Sequence, residues 1–322
     1  MRRYTQIKAY LQTLRIEEVI GLIFILPTLL ITIYANLYFF LDETQRSVKL
    51  EGGLWRIGIT IILVIWFYGF LWFRPDRKMV RWIRDFGPFL FVIAIYTNLH
   101  DTIHFINPND VHYALAAMDE WIFGVQPTVW AEQFYHPRLT DWLSFAYMNY
   151  YWITLILVFW LYWKQRYPEF RNIMLTMIIS YFIGFFGYVL FPAASPYLVI
   201  PDLYSIDIWK GTSLVSESMQ AIVRLSPDRA RDAFPSLHNA ITLLTMIMAW
   251  RYNKLIFWTL LPIAISLVVA TVYLRYHFVV DILAGFLVTF IALYISPKLD
   301  NSWHAYQKRQ GAEADVDPII PT

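Results

Sequence analysis

The chain contains no cysteine, and only 16% of its 322 residues are charged. Without thiols there is no disulfide framework, no cysteine nucleophile, no iron–sulfur cluster and no cysteine-ligated zinc. The absence says nothing about compartment, because a chain without thiols is indifferent to redox poise. The shortage of charge, against about 25% in an average soluble domain, accompanies 58% hydrophobic residues and a mean hydropathy of +0.45. So apolar a chain does not lack buriable surface, which excludes intrinsic disorder. A net charge of +2 argues against a nucleic-acid partner and leaves only the placement of charge as informative. No repeat with a period of about 20–50 residues is present. The N-terminal apolar run is too long for a cleavable signal and lacks a small-residue cleavage site.

What the chain has instead is a series of long uncharged runs. A spanning helix needs about 20 predominantly apolar residues. Val19–Leu41, Ile57–Phe73, Phe86–Leu99, Trp142–Trp163, Asn172–Phe191, Phe234–Trp250, Leu255–Leu274 and Phe278–Pro297 read as eight spans, the last holding one charge, Asp281. The fold expected is all-α and polytopic. With the N-terminus in the cytoplasm, segments 1–18, 74–85, 164–171, 251–254 and the stretch from 298 lie inside. They hold about two-thirds of the 26 Lys and Arg, as the positive-inside rule requires. Two long loops, 100–141 and 192–233, then lie outside, where long loops are usually functional. In the first, Leu115–Gly124 followed by Val125-Gln126-Pro127 reads as a helix lying in the membrane interface. The polar tail 298–322 is expected to be disordered cytoplasm.

Ionisable groups within or beside spans are costly, and so mark candidate functional sites. On this topology three meet at the outer face. His238 begins the sixth span in Phe234-Pro235-Ser236-Leu237-His238, and His277 and Asp281 open the eighth in Tyr273-Leu274-Arg275-Tyr276-His277-Phe278-Val279-Val280-Asp281. The i, i+4 spacing puts His277 and Asp281 one turn apart on one helix face. A carboxylate there can accept from one imidazole nitrogen and leave the other as nucleophile or base. The sixth and eighth spans run parallel, so the two histidines reach the same depth. Two imidazoles and a carboxylate suit phosphoryl transfer, one ring attacking phosphorus and the other protonating the leaving oxygen. Arg229, Arg231 and Arg275 flank these motifs, Lys210 lies in the same outer loop as the first two, and a guanidinium is a natural partner for phosphate oxygens. Ser236 and the amides of the Pro235-started helix terminus add donors. The bland alternatives are a satisfied histidine at a helix end, a His277–Asp281 pair stitching helices, and a solvated cluster of Arg229 and Arg231 with Asp228 and Asp232.

The two motifs resemble the second and third signatures of the type 2 phosphatidic acid phosphatase superfamily, most closely its inositol phosphorylceramide synthase-like branch and bacterial relatives. Leu237 stands where many lipid phosphatases carry Gly. Pro192-Ala193-Ala194-Ser195-Pro196-Tyr197 is similar to the proline-rich loop of that branch, and Met118-Asp119…Gly124 with Pro127 to its luminal or periplasmic loop. The resemblance covers about 85–297, and so implies a six-span catalytic core after a two-span extension, 1–84. It implies a phosphohistidine on His277, activation by Asp281, general acid catalysis by His238, and no metal or other cofactor. The superfamily's Lys-x6-Arg-Pro signature has no counterpart on the outer side, since Arg74-Pro75 falls in a cytoplasmic loop. Ala270-Thr271 replaces the usual Ser-Arg pair, so Arg231 and Arg275 are candidates by position alone.

His100, Asp101 and His104 form a second constellation. With Asp110 or His112 they could ligate a divalent metal, contact a headgroup, or merely meet water at a span end; they are carried as candidate substrate-binding residues. Gly184, Gly187 and Gly285 are read as sites of close helix packing. The function implied is transfer of an inositol-phosphate-like headgroup between a membrane lipid and a polyol acceptor such as inositol, in a bacterial inner membrane. Water as acceptor would make it a phosphatase of lipid phosphate or polyprenyl (pyro)phosphate. A transporter or scramblase is the alternative from another class. Against it stand histidines clustered at one face and halves without a repeat.

Overall fold

The computed structural model describes residues 10, 12–41, 53–73, 78–99, 102–225, 230–311 and 319. Among them there are helices and turns but no strand. In chain order the helices are α1 Ile16–Leu41, α2 Gly53–Phe73, α3 Lys78–Leu99, the short α4 Ile103–Ile106, α5 His112–Phe123 and the short α6 Pro127–Trp130. They continue with α7 Pro137–Met148, α8 Tyr150–Trp163, α9 Tyr167–Leu190, the short α10 Pro196–Val199, α11 Leu214–Leu225, α12 Leu237–Tyr252, α13 Lys254–Tyr273 and α14 Val279–Arg309. A turn of 3-10 helix, Ala131–Phe134, follows α6.

All eight apolar runs are helical. α1, α2, α9, α13 and α14 are long and apolar enough to cross a membrane, and α7 with α8, bent by 44°, makes a sixth candidate. Of the remaining two, α12 has 16 residues. α3 opens with Lys78, Arg81, Arg84 and Asp85, which leaves it a shorter apolar stretch. The outward faces are apolar: Leu30, Ile62 and Ile65 are each about two-thirds exposed, which water would not tolerate over whole helices. The chain is an integral membrane protein.

Two compact units divide the chain, with α9 and α14 contributing to both, and they do not follow the expected boundary at residue 84. One comprises 1–105, 167–182 and 293–322. Its buried charges are paired: Arg171 with Glu17 and Asp300, Arg84 with Glu18, and Arg15 with Asp85. Here the tail departs from expectation. α14 runs on through Arg309 because its side chains dock: the Trp303 indole donates to the Leu14 carbonyl, and Gln307 donates to the carbonyls of Gln12 and Leu14. Within the tail, residues 312–318 and 320–322 lie outside the described residues.

The other unit comprises 106–166 and 183–292. Its helix starts follow ordinary capping chemistry. Asn253 caps α13 by accepting from the amides of Leu255 and Ile256, and Ser236 caps α12 by accepting from Asn239. The proline-rich segment pairs with the stretch before α12 through a parallel bridge, Ala193 to Asp232. Two apolar clusters sit on either side of the α13–α14 turn. One joins Leu115, Ala116, Ala193, Val199, Phe278 and Val280; the other joins Leu143, Ile208, Met219, Ala270, Leu274 and Tyr276.

Candidate active site

The α13–α14 turn carries the site. α13 ends with the amide of Tyr276 on the Thr271 carbonyl and that of Arg275 on the Val272 carbonyl, the paired bonds of a Schellman cap. That cap needs a left-handed residue, usually Gly, and Arg275 fills it at φ +64°. His277 follows two residues later, still outside a helix, and α14 begins at Val279. The expected helical i, i+4 pair is therefore a turn. Asp281 is the third residue of α14 and reaches back, its Oδ2 accepting from the Phe278 amide at 2.9 Å, the backward half of a capping box.

The structure brings His238, His277 and Asp281 together. His277 Nδ1 lies 3.4 Å from Asp281 Oδ2, and His277 Nε2 lies 3.4 Å from His238 Nδ1. Charge-assisted hydrogen bonds are about 2.7–2.9 Å, so these contacts are loose, as catalytic contacts often are before substrate binds. Asp281 Oδ1 and His277 Nδ1 have no hydrogen-bond partner, although both residues are buried. His277 is 3% exposed, whereas His238 keeps partial access. Burial pushes the His277 imidazole down to about 4, opposed by the nearby Asp232 carboxylate. A neutral ring keeps a lone pair for attack.

Close approach of α9 and α14 to the start of α12 fixes His238. A Cβ on Gly285 would fall 2.3 Å from the Ser236 carbonyl oxygen, and one on Gly187 would fall 2.3 Å from the Pro235 ring. Only glycine lets this segment in. The Ser236 amide then donates to the Asp281 carbonyl at 3.0 Å, tying the two motifs at the backbone. Ser236, expected as a phosphate donor, is fully buried, and its hydroxyl accepts from the Asn239 side chain at 2.8 Å. It serves as a helix cap.

Aromatic rings wall the pair. Tyr147 hydroxyl lies 3.3 Å from His238 Nε2, Tyr147 stacks on Tyr276, and Tyr150 packs at 4.6 Å from the His238 ring. Neither Tyr147 nor Tyr150 was legible as a site residue, because aromatic residues recur throughout the spans. Asp232, read as a member of a solvated cluster, lies close enough to act on His277.

The basic candidates are placed otherwise than expected. Arg275 is 3% exposed; it donates to Glu132 at 2.5 Å and to the Ile206 carbonyl at 2.9 Å, and its guanidinium lies 3.7 Å from the Tyr204 ring centre. These loop groups offset its buried charge. Arg231 is engaged by Asp110, its Nε donating to both carboxylate oxygens at 2.8–2.9 Å. Lys210 is exposed; its carbonyl accepts from the Tyr135 hydroxyl and its amide donates to the Asp207 carbonyl. His104 is exposed on α4 and belongs to the other unit. His100, Asp101 and Arg229 lie outside the described residues. Among the described residues no three His, Asp or Glu side chains converge as metal ligands.

Fold and site together define a polytopic helical membrane protein with a buried His/His/Asp cluster at helix starts. The PAP2 superfamily matches residues 113–295, more than half the chain, and the chain belongs to that superfamily. A PA-phosphatase related-family protein of Dictyostelium discoideum is 31% identical over 135 residues, which is 41% of this chain and 23% of that protein. The chain thus matches less than a quarter of that relative's length. No solved structure matches it.

Proposed function

We propose that the protein is a phosphoryl-transfer enzyme acting on a membrane lipid phosphate. The observation that carries this is the placing of His277 between two partners, Asp281 on Nδ1 and His238 facing Nε2. With the ring proton held at Nδ1 by Asp281, the Nε2 lone pair attacks phosphorus. An N–P bond forms while the bond from phosphorus to the lipid or glycerol oxygen breaks. His238, protonated, gives its proton to that departing oxygen. In the second step an acceptor hydroxyl attacks the phosphohistidine, His238 removes its proton, and the N–P bond breaks. No metal enters these steps.

The finer reading follows the sequence motifs. The Pro192–Tyr197 segment and the FPSLH form of the second signature favour a polyol acceptor such as inositol, as in the inositol phosphorylceramide synthase-like branch. The likeness to a PA-phosphatase related-family protein favours the second reading, hydrolysis of lipid phosphate with water as acceptor. The site faces the extracytoplasmic side of a bacterial inner membrane, with both termini cytoplasmic. The test is to incubate reconstituted protein with a lipid extract and labelled inositol while following release of inorganic phosphate. Label appearing in phospholipid without phosphate release supports the transferase; phosphate release alone assigns water. If neither occurs, or if both persist in His277→Ala, the enzymatic reading is wrong. Movement of labelled lipid between leaflets would then favour a scramblase.

A further inference from the structure

His277 is bracketed by two carboxylates from one loop, and neither belongs to the His/His/Asp cluster. On its C-terminal side, the amides of Val279 and Val280 donate to Asp119 of α5 at 2.7 and 3.0 Å. These are the first two N–H groups of α14, which an isolated helix leaves without partners. Asp119 is fully buried, so its carboxylate is given over to that helix end. On the N-terminal side, Glu132 holds Arg275, and is itself held by the Ser205 amide and hydroxyl and the Ile206 amide. A left-handed backbone is unfavourable for a residue that carries a Cβ, and the grip on the Arg275 side chain helps to hold the turn. Tyr197 adds a third tie, its amide donating to the Arg275 carbonyl at 3.2 Å.

We infer that Asp119 and Glu132 are positioning residues that set the His277 ring between Asp281 and His238. Asp119 fixes where α14 begins, and hence where Asp281, two residues past Val279, presents its oxygens. Glu132 fixes the turn from which the His277 backbone leaves α13. The His277–Asp281 contact has no short hydrogen bond of its own to define it, so the geometry must come from the flanking backbone. The inference rests on the proposed role of His277 and extends it to residues that touch no reacting atom.

Orthovanadate is the probe, because it adopts the five-coordinate geometry of a transferring phosphoryl group on an imidazole without requiring the true lipid. Binding to the purified full chain in detergent is measured for each variant. His277→Ala should abolish binding; if binding survives, the site reading falls and this inference with it. Asp119→Asn and Glu132→Gln should each weaken binding about tenfold or more, since an ångström of misplacement can cost about a hundredfold in rate. Glu120→Gln, on the exposed face of α5, serves as the control and should leave binding as it is. Adding Arg275→Gly to Glu132→Gln should restore affinity to within about threefold, because glycine adopts the left-handed turn without a clamp. Affinity is compared well below each variant's melting temperature, where a loss of stability alone leaves it unchanged. Binding lost in His277→Ala but kept by both carboxamide variants overturns the inference alone, as does failure of Arg275→Gly to rescue. Should Glu132→Gln not survive extraction, Asp119→Asn decides by the same threshold.

Discussion

Arg171 lies between Glu17 and Asp300 with nitrogen–oxygen contacts of 2.5–3.1 Å, whereas His277 keeps 3.4 Å from both Asp281 and His238. Both clusters are buried, and both would be expensive to leave unpaired in an apolar surround. The first is saturated: a guanidinium with a carboxylate on each side, fixed in one arrangement. The second is under-satisfied, with free oxygen on Asp281 and a loose pair of rings. A saturated cluster holds helices in register; an unsaturated one keeps capacity for a substrate group. Burial and charge alone do not tell structural polarity from functional polarity. The tightness of pairing does.

The largest effect that would sharpen this contrast is expected for His277→Ala. Phosphoryl transfer should fall by about three orders of magnitude or more, as when a covalent nucleophile is removed, with thermal stability nearly unchanged. An acid-labile phosphoprotein trapped from the native chain should be missing from the variant. Arg171→Met should do the opposite. Removing one partner of a buried pair costs about 3–5 kcal/mol, so detergent-solubilised protein should melt markedly lower while folded molecules keep their turnover. An Arg171→Met variant that lost turnover without losing stability would break the comparison.

Gly285→Val is intermediate. Its side chain must displace the Ser236 carbonyl, and overpacking costs about 1–3 kcal/mol. Stability and turnover should both fall, because the segment being pushed carries His238. The smallest effect is on pH dependence. His277 is held down to about 4 by burial, against about 6.5 unfolded. Between those values the unfolded chain binds more protons, so stability is complete above about pH 6.5 and is lost as pH falls toward 4. Melting temperature followed over that window should slope in the native chain and slope less steeply in His277→Gln. A slope of the same size in both would show that another group is responsible.

Much of the architecture was readable from the sequence. The eight uncharged runs are all mostly helical, the fourth as the bent pair α7 and α8, because apolar length is a one-dimensional property that lipid reads directly. The His/His/Asp grouping was also legible, since FPSLH and HFVVD each mark a helix start. What escaped was the identity of the second partners. Arg275 was a candidate phosphate ligand because it stood two residues from His277, and sequence distance does not say which way a side chain turns. The left-handed φ at Arg275 points it toward Glu132, 143 residues away. Residues 298–309 looked like polar tail because their partners, Gln12 and Leu14, lie at the other end of the chain.

The near absence of charge and the complete absence of cysteine determined the solvent of this protein and the kind of chemistry left to it. Local pattern determined the helices and the two histidine motifs, since span length, caps and motif spacing are all settled within a few turns. Only the tertiary structure decided which distant carboxylate meets which group: Asp119 on the start of α14 and Glu132 on Arg275. Those pairings join residues 143 to 161 positions apart, and a buried carboxylate takes whichever donors packing brings within hydrogen-bond reach.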